Sequence, residues 1–80
     1  MSSTSVTVAR VTSELQKIVG RRLREQRESL GLSQEAMAER LGYHRTFLGS
    51  VERGERNLTL ASVEQLAASL GVPALDLLHD

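Results

Sequence analysis

Residues 33–54 read "SQEAMAERLGYHRTFLGSVERG", and the fold turns on how the apolar residues in this stretch are spaced. Met37, Ala38 and Leu41 fall on one side of a helical segment that Ser33 is suited to cap, with Glu35 near its positive N-terminus. Gly42 stops it. Phe47, Leu48 and Val51 then recur at i, i+1 and i+4, which predicts a second segment from about His44 to Arg53, closed by Gly54. Only Gly42 and Tyr43 separate the two, and so short a connection makes helices cross steeply, at ~90–120°. Ala38 is small where the second helix must pass across it, and Leu48 and Val51 fill the space between.

Working outward, apolar residues at 8, 11, 15, 18, 19, 23 and 30 keep a 3.6-residue rhythm among Lys17, Arg21, Arg22, Arg24 and Glu25. This predicts a first helix beginning between Thr7 and Ser13, with residues 1–10 a flexible tail or its start. Gly31 supplies the left-handed residue that ends many helices. Downstream, Thr59 is a good N-cap for a fourth helix whose inward stripe is Leu60, Val63, Leu66, Ala67 and Leu70, and Gly71 ends it. Pro73 suits the first position of a last short helix reaching Leu78, where its missing N–H costs nothing. The expectation is an all-α chain: one compact five-helix domain over residues 11–80, without internal repeats.

Composition narrows the function. At 80 residues the chain suits one small domain, burying roughly 60–65% of the surface it exposes unfolded, and dimerisation would help such a core. The chain has no cysteine, which fits a reducing, cytoplasmic setting. No stretch approaches the ~18 apolar residues that span a bilayer, so no membrane partner is expected. His44 and His79 are the only histidines, and no nucleophile–base pair or metal-ligand spacing is visible. Neither an enzyme nor a metal or cofactor site is expected. Formal net charge is zero, but residues 1–57 hold all ten Lys and Arg against seven acids, and residues 58–80 hold three acids alone. The basic part is the part with the crossed helices.

The segments "GLSQEAMAERLG", "RTFLGSVERG" and "LAASLGVPALDLL" together resemble the helix-turn-helix domain of the phage repressor and Cro family, over roughly Leu23 to Leu78. The resemblance implies a lambda-repressor-like fold, with the helix-turn-helix at 34–53 and dimerisation helices at 59–80. Within the family, "RTFLGSVERGERNLTL" is most similar to controller proteins of restriction–modification systems, which usually have Tyr where this chain has Phe47.

The physics of the groove assigns the reading edge. A helix fits the major groove of double-stranded DNA, where Arg grips guanine bidentately and Thr bonds a base edge or touches a thymine methyl. Arg45 and Thr46 lie in the first turn, with Gly49 and Ser50 one turn later, and these four are the expected base contacts. Gln34, at the start of the preceding helix, is placed against a phosphate by the resemblance. Tyr43, His44, Phe47, Arg53, Arg56 and Asn57 complete the expected DNA-backbone contacts. Arg27 and Glu52 resemble the family's structural ion pair, and Arg21, Arg22 and Arg24 read as a solvated face. Leu60, Val72, Leu75, Leu77 and Leu78 are the expected dimer interface, which would set two recognition helices about one DNA turn apart on a pseudo-palindrome. The implied function is an autoregulatory transcription regulator with operator DNA and a second copy as partners, and RNA polymerase as a further one. The competing reading is an antitoxin or protein-interaction module.

Overall fold

The computed structural model describes the backbone of residues 4–79 and the side chains of residues 14–79. In chain order these residues form α1 (Thr4–Ser29), α2 (Gln34–Leu41), α3 (Arg45–Glu52), α4 (Leu60–Leu70) and a closing 3-10 turn (Ala74–Leu77), with no strand among them. Helix α1 begins earlier than the sequence suggested. Neither glycine nor proline interrupts residues 4–19, so a ladder nucleated against the core runs on toward the N-terminus.

The helix ends follow local chemistry. Ser33 and Thr59 accept from the backbone N–H groups of Ala36 and Ser62, satisfying donors that a helix start leaves free. Gly42 adopts φ 77°, a left-handed conformation that side-chain-bearing residues resist, and Tyr43 N–H then bonds the Ala38 carbonyl at 2.9 Å. That reversal sends the chain from α2 into α3 within three residues.

The core is Val19 and Leu23 of α1, Met37 and Ala38 of α2, Leu48 and Val51 of α3, Val63, Leu66 and Ala67 of α4, and Leu77. Helix α3 lies between α1 and α2, and α4 packs against the closing turn. Gly20 permits the close approach of α1 to the end of α3: a Cβ there would stand 2.3 Å from the Val51 carbonyl oxygen and 2.7 Å from that of Glu52.

Three expectations are corrected. The fifth helix is a 3-10 turn, held by i→i−3 bonds from Asp76 N–H to Pro73 and Leu78 N–H to Leu75; four residues behind a proline are too few for an α-helical ladder. Leu77, expected at a dimer interface, is fully buried within the monomer, because the tight turn swings it inward onto the core. Arg22, expected on a solvated face, is half-buried and donates through Nε to the Asp76 carbonyl at 2.9 Å, tying α1 to the closing turn.

Candidate nucleic-acid interface

Helix α3 is buried along Leu48, Gly49 and Val51 and open along Arg45 and Thr46. Its first residue follows His44, an exposed N-cap whose side chain makes no capping bond. Gln34, Arg45, Thr46, Gly49 and Arg53 line one open cleft of about 210 Å³, so five residues from two helices and the end of the second share a concave surface. Two are arginines and one is a hydroxyl donor, a combination suited to an oxygen-rich anionic ligand.

Gly49 is buried, and its part in the cleft is the room it leaves. The point where a Cβ would stand lies 3.0 Å from Arg53 Nη1 and 3.5 Å from Gln34 Oε1. Ser50 is half-buried and turned back on its own helix, its hydroxyl donating to the Phe47 carbonyl at 2.7 Å. Arg53 is exposed, and its Nε lies 3.0 Å from Glu55 Oε1.

Beneath the cleft, Arg27 and Glu52 form a fork-to-fork pair. Arg27 Nε donates to Glu52 Oε2 at 2.8 Å and Nη2 to Oε1 at 3.0 Å, while Nη1 donates to the Leu32 carbonyl at 2.8 Å. Only 13% of the Arg27 side chain and 3% of the Glu52 side chain are exposed. Hydrogen bonding to Glu52 raises the Arg27 pKa above the ordinary arginine value, against the opposing effect of burial. Glu52 also accepts from Gln34 Nε2 at 3.1 Å. A carboxylate so near the two arginines of the cleft is thereby neutralised locally, and α1, α2 and α3 are joined at one point.

On the other flank Tyr43, Phe47 and Arg56 form a column. The Tyr43 and Phe47 rings stack with centroids 5.1 Å apart, and the Arg56 guanidinium lies 4.9 Å from the Phe47 centroid. This arrangement holds an exposed arginine in place through a cation–π contact. Sequence reasoning missed it; the four-residue spacing of Tyr43 and Phe47 was the available signal. Asn57, expected against DNA, is exposed but accepts from Gln16 Nε2 at 3.2 Å, so its side chain also braces the loop against α1.

Away from this face, Leu60 and Leu75 are each 73% exposed, while Val72 and Leu78 are half-buried against the core. Leu60 and Leu78 also border an apolar groove of about 190 Å³ together with Leu15, Val19, Leu58 and Val63. Among the described residues no helix is long and apolar enough to cross a membrane, and no group of three His, Cys, Asp or Glu is gathered.

The family described as Helix-turn-helix matches residues 23–77, from the last two turns of α1 through the closing turn. The chain is 45% identical over 64 residues to Control protein C.SmaI of Serratia marcescens, covering 78% of this chain and 76% of that protein. It is 36% identical over 69 residues to Control protein C.BamHI of Bacillus amyloliquefaciens, covering 85% of each. Among solved structures, the restriction-modification controller protein C.AhdI from Aeromonas hydrophila superposes with a TM-score of 0.67 at 42% identity, over 78% of this chain and 94% of that one. By sequence match and by fold, the chain belongs to the helix-turn-helix family.

Proposed function

We propose that this chain is a cytoplasmic, sequence-specific DNA-binding transcription regulator that binds a pseudo-palindromic operator as a homodimer, regulates its own gene and controls a restriction–modification operon. The observation that carries the reading is the cleft: Arg45 and Thr46 stand exposed on the first turn of a helix whose other face is locked into the core. Arg45 then serves as the bidentate base reader and Thr46 as its neighbour on the same edge. Arg53 and Arg56 flank that edge and supply charge to the phosphates, with Gln34, Tyr43, His44 and Asn57 along the same rim. Phe47 acts through its ring, by holding Arg56.

Dimerisation completes the geometry. Leu60 and Leu75 are large apolar side chains left open by the monomer, with Val72 and Leu78 beside the same end of the fold. A second copy covering them would pair two recognition helices at ~34 Å, one DNA turn. The kinship with controller proteins supports the operon assignment, and RNA polymerase is the further protein partner of such a regulator at a promoter. Electrophoretic mobility shifts with the DNA upstream of its own gene, at low and moderate salt, test the reading. Retarded complexes that resist non-specific competitor DNA support it, whereas no shift even at low salt, with a neighbouring protein co-purifying, rejects it.

A further inference from the structure

Gln34 sits at the rim of the cleft, and the chemistry of its neighbour fixes which end of its amide faces outward. Glu52, an acceptor already engaged by Arg27, receives a third hydrogen bond from Gln34 Nε2 at 3.1 Å. A carboxylate has no proton to give, so the NH2 end must point inward and the carbonyl outward. That carbonyl, Oε1, lies above Gly49, 3.5 Å from the point a Cβ would fill, and Arg53 Nη1 lies 3.0 Å from the same point. The cleft therefore presents an acceptor beside a donor, with the bare Cα of a glycine beneath both.

An outward carbonyl repels a phosphate oxygen instead of binding it. We infer that Gln34 is a positioning residue for Arg53: with its amide turned by Glu52, it holds one edge of the Arg53 guanidinium over Gly49 when DNA docks. A guanidinium carries five N–H donors in a fixed plane. Nε donates to Glu55 Oε1 at 3.0 Å; with DNA docked, Nη1 would donate to Gln34 Oε1 and leave Nη2 for a phosphate. Glu55 and Gln34 together would set the plane of a side chain that is otherwise long and mobile, and Gly49 is required because a methyl group would part them. Arg27 and Glu52, buried beneath the cleft, then act on the interface through the direction of one amide. The inference rests on the DNA-binding reading above.

A double-mutant cycle tests it, using a duplex recovered by the wild-type protein from a random DNA pool. Gln34→Ala, Arg53→Ala and the double variant are compared by fluorescence anisotropy over a salt series, with thermal melts of each. Arg53→Ala is expected to weaken binding and to reduce the slope of log K against log salt by about one. Gln34→Ala alone is expected to weaken binding about five- to tenfold, and to cost nothing further when Arg53 is already alanine. Equal losses in both backgrounds, or no loss from Gln34→Ala alone, overturn the inference while leaving the regulator reading intact. Failure of the wild type to enrich any duplex would instead remove that reading and this inference with it. Should Gln34→Ala unfold, Gly49→Ala serves in its place, because it leaves the Glu52 network untouched: it is expected to bind DNA less tightly, to melt no lower than wild type, and to lose its effect on binding when Arg53 is alanine. A Gly49→Ala effect that persists without Arg53 counts against the inference.

Discussion

Replacing Gly20 by alanine puts the packing of α1 on α3 to a quantitative test. In an open helix the change would stabilise by ~0.5–1 kcal/mol, since glycine loses the most backbone freedom on folding. Here the new methyl carbon would stand 2.3 Å and 2.7 Å from two backbone carbonyl oxygens, well inside the 3.0 Å that real Cβ atoms keep. Backbone cannot rotate aside as a side-chain tip does, so α1 and the end of α3 must part by several tenths of an ångström. Val19, Leu23, Leu48 and Val51, packed in the same core, would separate with them. Overpacking of this kind costs ~1–3 kcal/mol, leaving a net loss of roughly 1–2 kcal/mol after the propensity gain. For a domain of this size that lowers the melting temperature by about 5–15 °C. Circular dichroism melts at fixed protein concentration measure it, since the proposed dimer would make melting temperature concentration-dependent. Gly49→Ala is the control, because its methyl group meets no backbone, only the far end of Arg53, 3.0 Å away, which moves cheaply, and Gln34 Oε1 at an ordinary 3.5 Å. A Gly20→Ala protein that melts with or above wild type would refute the close approach of the two helices.

Other perturbations separate stability from recognition. Glu52→Ala should cost ~3–5 kcal/mol in urea unfolding, because it leaves the Arg27 charge only 13% exposed and without its carboxylate; a change under ~1 kcal/mol would show the pair to be incidental. Because the Arg27 pKa is raised, the stability it contributes is fully present below the ordinary arginine range and lost only as pH climbs through the folded value, so it should stay flat around neutrality. Leu77→Ala should destabilise the monomer by ~2–5 kcal/mol, whereas Leu75→Asp should leave the fold intact and convert dimer to monomer in analytical ultracentrifugation. Undiminished dimer in the second case would place the interface elsewhere. Phe47→Leu, which removes the ring under Arg56, should weaken DNA binding by ~0.5–2 kcal/mol without an equal loss of stability; an unchanged affinity would make the column irrelevant to binding.

The helices were legible because their signals are local. Ser33 and Thr59 cap and Gly31, Gly42 and Gly71 stop, each within a few residues of what it acts on. The glycine stop at Gly42 forecast the short connection between α2 and α3, which runs three residues where two were expected, and the family resemblance supplied the pairing of Arg27 with Glu52, 25 positions apart. Length was harder: nothing in residues 4–13 distinguishes a tail from a helix continued from its C-terminal side. The last element was misjudged because helical periodicity does not discriminate over so short a run. The apolar pattern from Val72 to Leu78 fits an α-turn or a 3-10 turn equally, and the choice decides whether Leu77 points in or out. Contacts between distant positions escaped altogether. Gly20 against α3, Arg22 on Asp76 and Gln16 on Asn57 depend on which turn of α1 meets which part of the fold, and periodicity fixes a face without fixing that register. Within the cleft, sequence placed Arg45 and Thr46 at the exposed start of α3 but not the contacts around them, the Phe47–Arg56 contact and the Gln34 amide direction.

The central claim is that the exposed first turn of α3 reads base pairs, and the DNA preference of Arg45→Ala tests it most directly. Both wild type and variant are offered a random duplex pool, and the recovered sequences and affinities are compared. Wild type should enrich a pseudo-palindrome with half-sites one turn apart. Arg45→Ala should keep its fold and bind the same duplex ~1–3 kcal/mol more weakly, with preference lost at one base pair in each half-site. Equal affinity and an unchanged pattern would contradict the account.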